Sequence, residues 1–213
     1  MARKVKTRDR ILKTALALFN EEGEAQVSTV EIAGVLEISP GNLYYHFKGK
    51  EAIIEALFDD FEEEIRQVLS APIKSALSIE DNWIYIYIVF EEINDFRFFY
   101  NNLTGILERC PDLRPRFARL LRLKEETAAS LLTTLEKSGV VVISQTERNA
   151  LAARIAAHLT FWLQYERLSE AARNSRQTIN NGVYSAMMMI APYVVDDRQA
   201  FASLLKDYFA SQK

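Results

Sequence analysis

Within ISPGNLYYHFKGKE, residues 38–51, an amide, two phenols and an imidazole stand close together. If residues 40–47 are helical, Asn42, Tyr45 and His46 fall at i, i+3 and i+4 and share one face, with Gly41 and Tyr44 flanking it. Leu43 and Phe47, four apart, point the other way, toward a core that holds Ile32, Leu36 and Phe19. The polar face has groups that suit a DNA groove. An Asn can pair two-point with an adenine edge, aromatic rings can touch a thymine methyl, and Tyr and His can reach phosphate oxygens. Lys50 stands where the next helix opens, so its amine and the free N–H groups around it are candidates to hold phosphate, as are Ser28 and Thr29 at an earlier helix start.

Such a face needs a scaffold, and the preceding residues supply one. From Thr7 the chain is helical, with Ile11, Ala15, Leu18 and Phe19 on one stripe, Thr7 as the expected cap and Gly23 as the stop. A short helix opens at Ser28-Thr29 with Glu31 in its first turn, where the helix dipole favours an acid. The next has Ser39 as N-cap and Pro40 at the first helical position. Three short helices with a tight turn between the last two form a helix-turn-helix. Six bases, Arg3, Lys4, Lys6, Arg8, Arg10 and Lys13, precede residue 14 and give a salt-sensitive attraction for a polyanion. Residues 1–50 carry eight Lys/Arg against six Asp/Glu, so a basic N-terminal unit is attached to an acidic remainder.

The chain has 213 residues, a net charge of -3, 49% apolar residues, and only 7 Gly and 5 Pro, which points to an all-α fold with a sizeable core. A single cysteine, Cys110, excludes an internal disulfide framework and suits a reducing compartment. No 18-residue uncharged apolar run exists, and MARKVKTRDR lacks the apolar core of a signal peptide, so a cytoplasmic protein without a membrane span is expected. Beyond Lys50 the periodicity predicts a long amphipathic helix carrying Ile53, Ile54, Leu57, Phe61, Ile65 and Leu69, then helices near 80–94, 97–109, 113–138, 146–171, 176–191 and 197–210. Pro72, Pro111 and Gly139 punctuate them, and VVVIS at 140–144 reads as a connection without a partner strand.

STVEIAGVLEISPGNLYYHFKGKEAIIEAL resembles the DNA-binding segment of the tetracycline-repressor (TetR) family, from about Thr7 to about Leu57, with LYYHFKGKE its most specific part. The resemblance implies a helix-turn-helix in residues 1–50, and a helical ligand-binding and dimerisation domain in residues 51–213 that is joined through the fourth helix. It implies base contacts from Pro40, Gly41, Asn42, Tyr44 and Tyr45, and phosphate contacts from Ser28, Thr29, Tyr45, His46 and Lys50. One departure stands out. Glu37 occupies the turn position where the family usually has Gly, so a left-handed backbone there costs roughly 1 kcal/mol.

The remainder is rich in aromatic residues, which serve either as core packing or as the lining of an apolar effector pocket. Trp83, Tyr87, Phe90, Phe99, Arg154, His158, Phe161 and Trp162 are the pocket candidates. His158 fits a satisfied core or dimer-interface histidine better than a ligand contact, and Arg154 fits a structural partner or an anion anchor. Residues 146–171 and 176–191 offer apolar surface and small side chains for a two-fold four-helix dimer interface, and Met187–Met189 read as adaptable packing rather than a metal site. The expected protein is a homodimeric regulator, read as a repressor, that binds a near-palindromic operator and is released by a small-molecule effector. Control by a protein partner is the alternative. A helical enzyme is the distant one, because no glycine-rich phosphate loop, metal-ligand cluster or nucleophile–histidine pair is visible, and no cofactor is expected.

Overall fold

The computed structural model describes residues 6–71, 79–169, 174–195 and 198–211; Pro72 and the bases Arg3 and Lys4 lie outside them. The all-α expectation is met. Among the described residues the chain forms α1 (Thr7–Leu18), α2 (Thr29–Val35), α3 (Pro40–His46), α4 (Lys50–Leu69), α5 (Ile79–Asp95), α6 (Arg97–Asn101), α7 (Leu103–Arg109), α8 (Leu113–Lys137), α9 (Gln145–Leu168), α10 (Ser175–Met188) and α11 (Arg198–Ser211). No helix is long and apolar enough to cross a membrane among these residues. Two compact units result: Met1–Glu64 with Asp95–Arg116, and Ile65–Asn94 with Phe117–Lys213.

In the first unit, α1 buries Ile11, Leu12 and Ala15 and runs into a wider turn, Phe19–Gly23, that stops at Gly23 with φ 89°. Lys6 rather than Thr7 is the N-cap, without a side-chain bond, so Thr7 begins the helix instead of capping it. α2 starts with a reciprocal capping box between Ser28 and Glu31. It ends with Ile38 N–H on the Ala33 carbonyl at 3.0 Å and Glu37 N–H on Gly34 at 3.1 Å. That pair of bonds is a Schellman close, which requires a left-handed residue, and Glu37 takes it with φ 54°. α8 closes in the same way, Val140 N–H to Leu135 at 2.9 Å and Gly139 N–H to Glu136 at 2.9 Å, but with a glycine at φ 75°. The turn thus keeps its shape at Glu37 despite a side chain that disfavours it.

The predicted helix 97–109 is broken at Asn102, which separates α6 from α7. Two asparagines explain the break. Asn20 donates to the Asp95 carbonyl at 2.7 Å and accepts from Phe98 N–H at 3.1 Å, which holds the start of α6. Asn102 donates to Glu24 Oε2 at 3.2 Å, and a Cβ at Gly105 would meet its Oδ1 at 2.6 Å, so α7 needs glycine there. The FRFFYNN aromatics, Phe96 and Phe98 to Tyr100, are buried with Phe58 and Phe61. Ring centroids stand 5.4 Å apart for Phe58–Phe99 and 5.4 Å for Phe61–Phe96. Cys110 is 1% exposed, and burial followed by nearby Glu55 and Glu51 pushes its thiol up to about 11.

In the second unit, α8 buries Phe117, Leu120, Ala128, Leu131 and Leu135, while α9 buries Leu151, Ile155, Leu159 and Leu163. A second capping box, Ser144 with Glu147, opens α9. Arg148 ties α9 to α8 through Glu136 at 2.8 Å and Thr133 at 3.0 Å. α10 approaches closely because residue 182 is glycine: a Cβ there would lie 2.7 Å from both Phe90 and Trp162. The 140–144 segment does find a pairing partner. Val141 bridges Val194, Val142 N–H donates to Tyr193 at 2.9 Å and Val195 N–H to Val140 at 3.2 Å. A partner some fifty residues downstream cannot be read from local pattern.

Candidate nucleic-acid interface

α3 is positioned by what it buries and by its caps. Leu43 and Phe47 are 2% and 4% exposed, and they seat the helix on the unit's core. Ser39 Oγ accepts from Asn42 N–H at 3.1 Å, and Pro40 fills the first turn, where a missing N–H costs nothing. The rest of the helix is bare. Pro40, Gly41 and Asn42 are exposed, as are Tyr44 (57%) and Tyr45 (78%), and His46 is half-buried. The Tyr45 and His46 rings meet edge-on at 5.3 Å, which orders both without covering either. A Cβ at Gly41 would come only to within 3.9 Å of Ser39 Oγ, so the protein itself does not require glycine there. That side of Gly41 is exposed.

Cations surround this face unequally. Lys48 is exposed and its Nζ sits 4.5 Å over the Tyr44 ring, at the edge of the α3 surface. Lys50 is the expected phosphate ligand, yet its ammonium turns the other way. It donates to the Glu24 carbonyl at 2.9 Å and the Val27 carbonyl at 3.1 Å, and pairs with Glu24 Oε1 at 3.5 Å. Glu24 is buried and also accepts from Arg109 at 2.6 Å. Lys50 is therefore a tie that fixes the start of α4 to the α1–α2 connection, while Lys48 keeps its ammonium on the exposed side. Ser28 Oγ accepts Glu31 N–H at 3.2 Å within the capping box and keeps its own hydroxyl proton to donate; Thr29 is half-buried beside it. Of the basic arm, Arg8 stacks over Phe47 at 5.2 Å and Arg10 reaches the Leu36 carbonyl at 3.5 Å; Lys6 and Lys13 are exposed.

The eight pocket candidates do not form one site. Phe99 belongs to the first unit's aromatic core, and Trp83 and Phe90 are buried in the second, Trp83 at 6.2 Å from Phe209. Tyr87 is half-buried, its phenol pushed up by burial and by Glu91. Arg154 is exposed and its Nε bonds its own helix at the Ala150 carbonyl, 3.1 Å away. His158, Phe161 and Trp162 do come together, with Tyr165 and Ser185, along an open cleft of about 470 Å3. Two of them have structural tasks: His158 Nε2 lies 3.0 Å from the Gly182 carbonyl, and Trp162 Nε1 donates to Thr178 at 2.9 Å. A more enclosed space lies elsewhere among the described residues. A cavity of about 30 Å3 lies among α5, α8, α9 and α10, lined by side chains such as Ile86, Val89, Leu131, Ile155 and Leu159, and by Lys124. None of the candidates lines it. A signal for Lys124 was present. Leu113, Phe117, Leu120, Ala128 and Leu131 mark the buried stripe of α8, and residue 124 falls on it, where an apolar side chain belongs.

The family model described as "Bacterial regulatory proteins, tetR family" matches residues 11–57, and that described as "Bacterial transcriptional repressor" matches residues 60–201. The chain is similar to the HTH-type transcriptional regulator UidR of Escherichia coli (strain K12), 40% identical over 68 residues, which cover 32% of this chain and 35% of that protein. The matched segments span about a third of the length of such curated relatives. A solved TetR-family transcriptional regulator from Marinobacter aquaeolei VT8 superposes with a TM-score of 0.85 at 27% identity, covering 98% of this chain and 100% of that one. SmeT, the repressor of the Stenotrophomonas maltophilia multidrug efflux pump SmeDEF, shares the fold alone, with a TM-score of 0.61 at 17% identity over 91% of this chain and 93% of that one.

Proposed function

The chain belongs to the TetR family of DNA-binding transcriptional regulators, and from that premise we propose that it acts as a homodimeric repressor, released from a near-palindromic operator by a small apolar or aromatic effector. The observation that carries the DNA-reading part is the uncovered side of α3: Asn42, Tyr44 and Tyr45 exposed on a helix whose other side is locked into a core. A helix of this kind fits the major groove, with Pro40, Gly41, Asn42, Tyr44 and Tyr45 toward base edges and Ser28, Thr29, His46 and Lys48 toward phosphates. In this reading residues 1–50 read DNA, the remainder binds effector and dimerises, and a DNA target places the protein in the cytoplasm.

Support for the dimer comes from α9, whose Phe161, Tyr165 and Leu168 are 53%, 61% and 75% exposed, a row of large apolar side chains that a second copy would cover. Effector control rests on the end of α4. Tyr85 OH bonds the Val68 carbonyl at 3.5 Å and Thr127 Oγ1 bonds Leu69 at 3.1 Å, and both side chains also line the cavity. A molecule entering there displaces these bonds, and its preference for the shifted state sets the coupling. The small cavity volume favours a second reading, control by a protein partner. Selection of bound duplexes from a random pool tests the first: Asn42→Ala and Tyr45→Ala should each change the preferred base pairs, and unchanged profiles in both would refute the facing of α3. A compound that releases the operator decides against the partner reading.

A further inference from the structure

Lys124 is 1% exposed, yet it stands in the middle of α8 on the side that packs inward. Its Nζ donates to Thr160 Oγ1 at 3.2 Å, and Thr160 in turn bonds the Ala156 carbonyl at 2.8 Å. The amine also lies 5.9 Å from the Phe117 ring centroid. The other described side chains that line the cavity are apolar or hydroxylic, so Lys124 brings the one formal charge to that wall. Burying a lysine is costly, and an aliphatic residue of similar length at this point would fill the core better. Perturbed, buried groups of this sort concentrate at functional sites.

We propose that this cavity takes an amphipathic acid, whose carboxylate pairs with the Lys124 amine and whose apolar body lies along Ile86, Val89, Leu131, Ile155 and Leu159. The proposal rests on the effector reading above and names the chemical class of that effector. Three features converge on it. The lining is apolar apart from Lys124, Thr127 and Tyr85, the Lys124 amine is cationic when protonated, and the hydroxyls of Thr127 and Tyr85 can donate to a carboxylate oxygen once their bonds to the Leu69 and Val68 carbonyls are displaced. The space of about 30 Å3 has room for a water or two, so an acid of useful size enters only as the helices part. Binding is thereby tied to a change of shape, and the bonds from Tyr85 and Thr127 to the end of α4 lie in its path.

Burial holds the Lys124 amine down to about 7, so above neutral pH it is largely uncharged in the empty protein. A carboxylate arriving there restores the ammonium, and the proton comes from the buffer. Tyr85, the other titratable group on the wall, is pushed up to about 12 by burial and stays neutral across that range.

The test titrates the full chain with octanoate, decanoate and dodecanoate and with the matching 1-alkanols, by calorimetry at pH 8.5 in buffers of different ionisation enthalpy. The expected result is an acid-over-alcohol preference of about ten-fold or more for at least one chain length, with uptake of close to one proton for the acid and none for the alcohol. Lys124→Met should abolish the preference and the proton uptake while still binding the alcohol. Equal affinity for acid and alcohol at every length overturns the proposal, as does acid binding without proton uptake in the unaltered chain, a readout that needs no variant to fold. Operator binding is followed in parallel. Acid bound at Lys124 with operator affinity unchanged would sink the effector reading and leave the site assignment standing; no acid preference with intact operator binding would sink the site alone.

Discussion

Lys48 and Lys50 sit two residues apart, yet the Lys50 ammonium is tied inward and the Lys48 ammonium is exposed, so substituting each separately makes a sharp comparison. The Lys50 ammonium makes three contacts, to the Glu24 and Val27 carbonyls at 2.9 and 3.1 Å and to the Glu24 carboxylate at 3.5 Å. Hydrogen bonds from a charged donor are each worth about 1.5–3 kcal/mol, but one flexible ammonium shared among three acceptors delivers less than their sum. Glu24 keeps Arg109 and Asn102 when Lys50 is removed, so it is not left bare. Lys50→Ala should therefore cost about 3 kcal/mol, a fall in Tm of roughly 6–12 °C for a chain of this size. Lys48 is exposed and has only the Tyr44 ring beneath it, so Lys48→Ala should leave Tm within about 1–2 °C. Operator affinity measured against salt reverses the ranking. Each lost phosphate contact lowers the slope of log K on log salt by about 0.9, so Lys48→Ala flattens the slope and Lys50→Ala, assayed well below its Tm, keeps it. A flattened slope for Lys50→Ala with an unchanged Tm would refute the assignment of Lys50 as an internal tie.

The two Schellman closes provide a matched pair: Glu37→Gly should raise stability by about 1 kcal/mol, and Gly139→Ala should lower it by about as much, since nothing lies within 4 Å of a Cβ at Gly139 and only its φ resists. Thermal denaturation checks both. Gly182→Ala should cost about 1–3 kcal/mol, because its methyl would strike Phe90 and Trp162 at 2.7 Å. A Tm equal to that of the unaltered chain would show that α10 yields easily. Lys124→Met should change the pH dependence of stability: the folded amine titrates near 7 and the unfolded one at 10.5, so between those values the unfolded chain holds an extra proton and stability rises with pH. The variant lacks that rise and should be the more stable form near neutrality, by several kcal/mol, since each tenfold loss of proton affinity on folding corresponds to about 1.4 kcal/mol. Urea titrations at pH 6, 8 and 10 measure it.

The helices were legible because their signals are local. Ser28 with Glu31, Ser39 with Pro40, and glycine at 23 and 139 each act within one turn, and the structure uses all of them. The exposed side of α3 followed from the spacing of Leu43 and Phe47, and the strained turn at Glu37 from the family resemblance, which puts glycine at that place. What local pattern could not give was direction set by distant residues. The Lys50 amine turns inward because Glu24, 26 positions earlier, is buried beside it, and the helix break at Asn102 depends on that same carboxylate. Most of the pocket candidates are aromatic, yet aromatic residues serve the core first, and Phe99, Trp83 and Phe90 are used there. Lys124 is concealed because RLLRLKEETAA looks like an ordinary charged surface strip; only its phase relative to Leu120 and Leu131 marks it as inward.

Cys110 is the chain's single thiol, and it is both hidden and held in its unreactive form. Maleimide and nitroxide reagents should therefore pass the native protein by, which makes it a clean background for spectroscopy. A cysteine introduced at exposed Lys13 would become the sole labelled point on each copy, and if the proposed dimer forms, the separation between two such labels would measure the distance between the proposed DNA-reading segments with and without a candidate effector.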